Sequence, residues 1–167
     1  MRHEFGIPKD IIAEGNELRD DYQVVAAASH PQAQKLLAFW SERPPDGIVI
    51  GRDVPSRPIA AILSNVTIYE PIDGGRDCRV RLAGASIRRR FGRDITGLLM
   101  SQLFPPNEFR DHLETAIADL EAGKATIVDS RLSSGAIERM HLEAVILPVV
   151  APDRISKWVL VGLFYLS

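Results

Sequence analysis

Between Asp77 and Gly97 the spacing of apolar residues changes period, and no other stretch constrains the fold as tightly. Cys78, Val80 and Leu82 alternate with Asp77, Arg79 and Arg81, as a strand with one buried face requires. Gly84 ends the alternation. Ile87 and Phe91 then stand four apart, the spacing of a single helix face, and Gly92 supplies a left-handed C-terminal cap. The stretch predicts a half-buried strand that turns directly into a short helix. The other elements must therefore cover that strand or enclose the space beneath the helix.

Residues 1–30 read as an N-terminal helical extension, on the sparse pattern of Ile11, Ile12, Leu18, Tyr22 and Val25, and residues 31–167 as the domain proper. Ser29 or His30 can cap a helix with Pro31 in its first turn. Ala33, Leu36, Leu37 and Trp40 share one face of it until Pro44 and Pro45. Ser56 and Pro58 start a short helix carrying Ile59, Ile62 and Leu63. A strand over 65–70 has Val66 and Ile68 on one face, and Asp73-Gly74-Gly75 joins it to the 77–83 strand as a hairpin. After a short segment over 98–104, Asn107 is placed to cap the clearest helix. Its stripe of Phe109, Leu113, Ala116, Ile117 and Leu120 runs to Gly123.

Three more strands are expected over 125–132, 137–148 and 156–166. In the hairpin between the first two, the expected register sets Asp129 opposite His141, Ser130 opposite Met140 and Val128 opposite Leu142, giving one polar and one apolar face. The last strand has no polar face, which suits a central strand covered on both sides. The sum is an α+β fold: a five-stranded antiparallel sheet with helices gathered on one face, room for a cavity between them, and extra N-terminal helices.

A chain of 167 residues suits one domain with a sizeable core. The formal charge of −2 gives no general reason to bind nucleic acid or an anionic membrane. Cys78 is the one cysteine, so neither an internal disulfide nor a thiolate zinc site is expected, and a reducing, cytoplasmic setting is the simplest reading. Charged residues recur through 1–24, which excludes a signal peptide or membrane span there.

With these elements in place, the Arg81-Leu82-Ala83-Gly84 step, the Gly92-Arg93-Asp94-Ile95-Thr96-Gly97 turn and the closing strand after Leu147-Pro148 resemble a PAS domain. More narrowly, the Leu37-Ala38-Phe39-Trp40 helix followed by Arg52-Asp53 is similar to the single-domain PAS proteins common in alphaproteobacteria. The resemblance covers about residues 30–167. It implies a sensory or regulatory role through a small ligand or a signalling protein partner, and it does not imply catalysis. The chain stops at Ser167, directly after the last strand, so no effector module is expected to follow. The signal is then expected to leave by the N-terminal segment or an exposed surface. Residues 1–30 are expected either to cover an outer sheet face that carries Val159, Val161 and Leu163 or to mediate a homodimer, and a homodimer is the expectation preferred.

The expected ligand site is the helix-facing side of the sheet: Cys78, Val80, Leu82, Val128, Met140, Leu142, Leu160 and Trp158, closed by Ile87 and Leu103. Ser130 and Ser86 are its polar groups. Such a site suits a small apolar ligand; complete filling of the core by the same side chains is the equal alternative, and would make the domain a ligand-free interaction module. Flavin is disfavoured because Cys78 starts a strand and lacks the Asn-Cys-Arg-Phe context that a flavin-photoreceptor PAS domain needs. Haem is disfavoured because His112 lies off the apolar stripe of its helix and His141 on the polar face of its strand. Arg88, Arg89, Arg90 and Arg93 form a solvated face or, alternatively, a docking surface for an acidic partner or a phosphorylated nucleotide. No aromatic residues interleave with them, so nucleic acid is not expected. Asp53, Asp94 and Glu143 lack the spacing of an acid–base pair. Arg52 with Asp53, and Arg93 with Asp94, are expected to fix loops.

Overall fold

The computed structural model describes residues 18–134 and 136–166. In chain order the elements are β1 (Leu18–Val25), α1 (Pro31–Ser41), β2 (Val66–Ile72), β3 (Asp77–Ala83), α2 (Ala85–Phe91), α3 (Met100–Leu103), α4 (Pro106–Ala122), β4 (Thr126–Ser134), β5 (Ile137–Val150) and β6 (Lys157–Leu166). Short 3-10 turns lie at Arg57–Ile59, Leu63–Asn65 and Asp73–Gly75. All strand pairs are antiparallel, in the spatial order β1-β4-β5-β6-β2-β3.

The sheet therefore has six strands among the described residues, one more than expected. The extra one is β1, within the segment read as helical; Ile11 and Ile12 of that reading lie outside the described residues. Leu18, Tyr22 and Val25 suit a helical stripe, but the same residues pair along the whole of β4, from Leu18 opposite Ser134 to Val25 opposite Ile127. Pairing with an otherwise open edge overrides a weak local period.

The helices that follow β3 gather on one face. There α2, α3 and α4 cover Tyr69, Val80, Val128, Ala144, Val159 and Leu163. The opposite face is covered by α1 and the loop after it, with Leu36, Trp40, Ile59 and Ile62 against Val145, Leu147, Trp158, Leu160 and Phe164. His30 caps α1 by accepting from Gln32 N–H at Nδ1 (3.0 Å), and Trp40 Nε1–H donates to Pro148 O (2.8 Å). Arg52 fastens the following loop, bridging Asp46 (2.6 Å) and Asp53 (2.8 Å), while Asp53 accepts from Val49 N–H. Because α1 covers one face and the later helices the other, Val159, Val161 and Leu163 are buried or half-buried within the chain. They do not form an outer face left for residues 1–30 to cover.

In the β4–β5 hairpin Asp129 lies opposite Glu143, Ser130 opposite Leu142 and Val128 opposite Ala144. The expected register is thus displaced by two residues. β4 runs on through Ser133 and Ser134, which had been assigned to the turn, and an irregularity follows Leu132. A shift of two preserves the faces, since side chains alternate with period two. His141 still reaches Asp129, diagonally, with Nε2 2.9 Å from the carboxylate.

α4 begins at Pro106, with Pro105 in the capping position that had been given to Asn107, and ends at Gly123 in the left-handed conformation. In its last turn Asp119 is buried and accepts from Thr126 Oγ1–H at 2.7 Å. Burial raises its carboxyl above the usual carboxylate range. The folded chain thus holds this proton more tightly than the unfolded chain, and stability is lost as pH rises through the shifted titration. A negative charge at a helix C-terminus adds to the cost. Asp119→Asn keeps the oxygen that Thr126 needs, and it should raise stability at pH 7 by about 0.5–1 kcal/mol. Urea unfolding midpoints measured from pH 7 down to pH 3 should show that gain shrinking as the wild-type carboxyl becomes protonated; an unchanged gain would exclude this origin.

Candidate functional site

A cavity of about 100 Å³ lies between α4 and the sheet. Its sheet side is built from alternate residues: Thr67 and Tyr69 of β2, Val128 of β4, Ala144 and Ile146 of β5, and Val159, Val161 and Leu163 of β6. Ile87 and Phe91 of α2, Met100 of α3 and Phe104 close one end, while Glu108, Asp111, His112, Thr115 and Ala116 of α4 form the roof. Tyr22 of β1, 53% exposed, marks the open side with Asp111, to which its hydroxyl donates (3.2 Å). Phe104 packs edge-on against Phe91 and against His112, with ring centroids 6.1 Å and 4.7 Å apart.

Burial shifts the titratable groups in and beneath the cavity wall. Burial pushes the His112 imidazole down to about 4 despite the neighbouring Asp111 carboxylate, so it is neutral at physiological pH. Tyr69 is raised, first by burial. Cys78 lies beneath the same face, fully buried, and its thiol is pushed up to about 12 by burial and by Asp77. At neutral pH it is a protonated core group, not a nucleophilic thiolate.

Of the residues expected to line a ligand site, Ile87 and Val128 do so. Cys78, Val80, Met140 and Leu142 belong to the same core cluster without reaching the cavity, Leu103 packs against that cluster, and Ser130 is buried in the same row as Val128. Ser86 is turned elsewhere and shares a hydrogen bond with Ser64 Oγ (2.7 Å). Trp158 and Leu160 are on the opposite face, against α1. β6 is apolar on both sides, so its sequence leaves the facing open; pairing of Val161 with Thr67 fixes it.

Leu82 is displaced by a bulge. Tyr69 pairs with Val80 but Ile68 with Leu82, leaving Arg81 as the extra residue, so beyond it Ala83 turns inward and Leu82 is 36% exposed. His112 corrects a further expectation, because it faces the cavity although it lies off the stripe formed by its apolar neighbours. Thr67 and Tyr69 went unassigned, since Val66 and Ile68 take the other buried face of β2. Four successive buried residues, Val66 to Tyr69, are the signal that both faces of β2 are covered.

The arginine run divides. Arg88, Arg89 and Arg93 are exposed, but Arg90 is buried with its guanidinium 4.0 Å from the centre of the Tyr165 ring. Arg90 is thus removed from the expected docking surface. Three consecutive helical residues span about 200°, and the last of them turns back toward β6. Asp94 holds its turn through Thr96, accepting from both N–H (3.0 Å) and Oγ1–H (2.8 Å). Among the described residues no cluster of His, Cys, Asp and Glu could hold a metal ion, and no helix is long and apolar enough to cross a membrane.

No curated protein and no solved structure matches the chain. The sequence profile described as PAS domain matches residues 28–164, a span that includes α1, all of the cavity wall except Tyr22, the strands β2 to β5 and β6 as far as Phe164. On that match, and with the antiparallel sheet and flanking helices that it requires, the chain belongs to the PAS domain family, a family of sensory and signalling modules.

Proposed function

We propose that this protein is a sensory domain that binds a small molecule in the cavity under α4 and reports its presence through a contact with a signalling protein. The observation that carries the reading is the cavity itself, walled by side chains of five strands and three helices within the core cluster beneath α2, α3 and α4. Protein interiors are otherwise close-packed. The route outward is short, because α2 carries Ile87 and Phe91 on the cavity wall and Arg88 and Arg89 on the exposed side. A ligand that moves the one face moves the other. Arg88, Arg89 and Arg93 suit an acidic partner surface. The reading involves no catalytic group.

Native mass spectrometry and an absorption spectrum of the purified full chain test this. A reproducible added mass is expected, retained in Arg88→Glu/Arg89→Glu and lost in Ala116→Leu, which fills the cavity. A chain without added mass that becomes more stable on Ala116→Leu would overturn the sensing role and leave an interaction module with a filled core.

A further inference from the structure

On the cavity wall lie two hydroxyl groups that the rest of the fold does not use. Thr67 and Tyr69 are 4% and 6% exposed and both line the cavity. Among the described residues neither hydroxyl has a hydrogen-bond partner. Standing two apart on β2, they share one face, about 7 Å from each other along the strand. Because burial raises Tyr69, its hydroxyl stays protonated and can donate as well as accept. Neither hydroxyl oxygen is among the buried unpartnered atoms of the core, so each reaches open space in which a polar atom of a ligand could partner it.

Charge narrows the ligand further. No lysine or arginine lines the cavity, His112 is neutral, and the two carboxylates of the roof are already engaged, Asp111 by the Tyr22 hydroxyl and Glu108 within the fold. An anion would lose its hydration there without meeting a counter-charge. The inner wall of Val159, Val161, Leu163, Ile146 and Val128 offers nothing to a cation either. The volume of about 100 Å³ is somewhat below the roughly 150 Å³ of an engineered apolar cavity that takes benzene.

Resting on the sensing role proposed above, we infer that the cavity takes an uncharged molecule, mostly carbon and about the size of one aromatic ring, with a polar atom held by the hydroxyls of Thr67 and Tyr69. The probes are phenol, toluene, benzoate and benzylamine, titrated into the full chain and followed by NMR on the methyl groups of Val159, Val161 and Leu163. Phenol should bind most tightly, toluene more weakly, and the two ions least. Tyr69→Phe and Thr67→Val should each weaken phenol about fivefold, the worth of one neutral hydrogen bond, and leave toluene unchanged, which also shows that the cavity is intact.

Toluene binding with phenol unaffected by either variant, or an ion binding as tightly as phenol, would overturn this inference and leave the sensing role standing. If no probe perturbs those methyl groups and the purified chain carries no added mass, both fall.

Discussion

Gly84→Ala should destabilise this protein by at least about 3 kcal/mol, at the upper end of what inserting one methyl group into a packed site costs. The backbone at Gly84 has φ −68° and ψ 167°, a conformation open to any residue, so the requirement for glycine is one of space alone. A Cβ there would overlap Leu63 O and Ser64 O and stand 2.5 Å from the Ser64 carbonyl carbon. All three are backbone atoms, and no rotamer change can relieve the contact. The approach is fixed from both sides: Gly84 N–H donates to Val66 O (2.9 Å), and Ser86 N–H donates to Ser64 Oγ (3.1 Å).

An alanine must therefore separate the β3–α2 junction from the turn before β2. Because Ile87 and Phe91 follow directly, any variant that still folds should also have a distorted cavity and weaker phenol binding. Gly92→Ala is the control. Gly92 has φ +73° but nothing within 4 Å of a Cβ, so only the left-handed penalty of about 1–2 kcal/mol applies. Urea unfolding of both variants separates the two causes. A Gly84→Ala chain no less stable than Gly92→Ala would show that the close approach yields without cost.

The same junction shows what can be read from the chain and what cannot. The strand over 77–83, the helix with Ile87 and Phe91 inward, and the cap at Gly92 follow from local spacing, and they form as that spacing dictates. The steric need for Gly84 does not, because the atoms it would strike belong to residues 63 and 64. The candidate site was legible in part for a related reason. Alternation identifies two faces of a strand but cannot say which one a given helix covers, so Trp158 and Leu160 were exchanged for Val159 and Val161. Where a bulge adds one residue, as at Arg81, even the alternation changes sense, and Leu82 moved outward. Three polar residues of the cavity wall escape the sequence for a third reason. Thr67, Tyr69 and His112 have value only once a cavity is seen to lie between them.

Glu143→Ala should cost about 3 kcal/mol, as expected when charge-assisted hydrogen bonds are lost and the buried donors are left without partners. Glu143 is 1% exposed in the middle of β5. Its two oxygens accept Ser29 N–H at 3.0 and 2.9 Å, and one also accepts His30 N–H at 2.9 Å. These are the donors at the entrance to α1, where the positive end of the helix also favours an anion. The carboxylate thus fixes the point at which the chain leaves the β1 edge and turns onto the sheet, and His30, stacked on Phe164 at 5.2 Å, completes the join.

Glu143→Gln keeps the shape but turns an amide N–H₂ toward a backbone donor, and should lose about 1–2 kcal/mol. Glu143 alternates with Ala144, so it lies on the face away from the cavity. At temperatures where the variants remain folded, phenol binding should therefore match that of the wild type. Unfolding curves and phenol titrations on the same samples decide the matter: a Gln variant as stable as the wild type would show that the charge contributes nothing, and a parallel loss of phenol affinity would show that α1 and the cavity act as one unit.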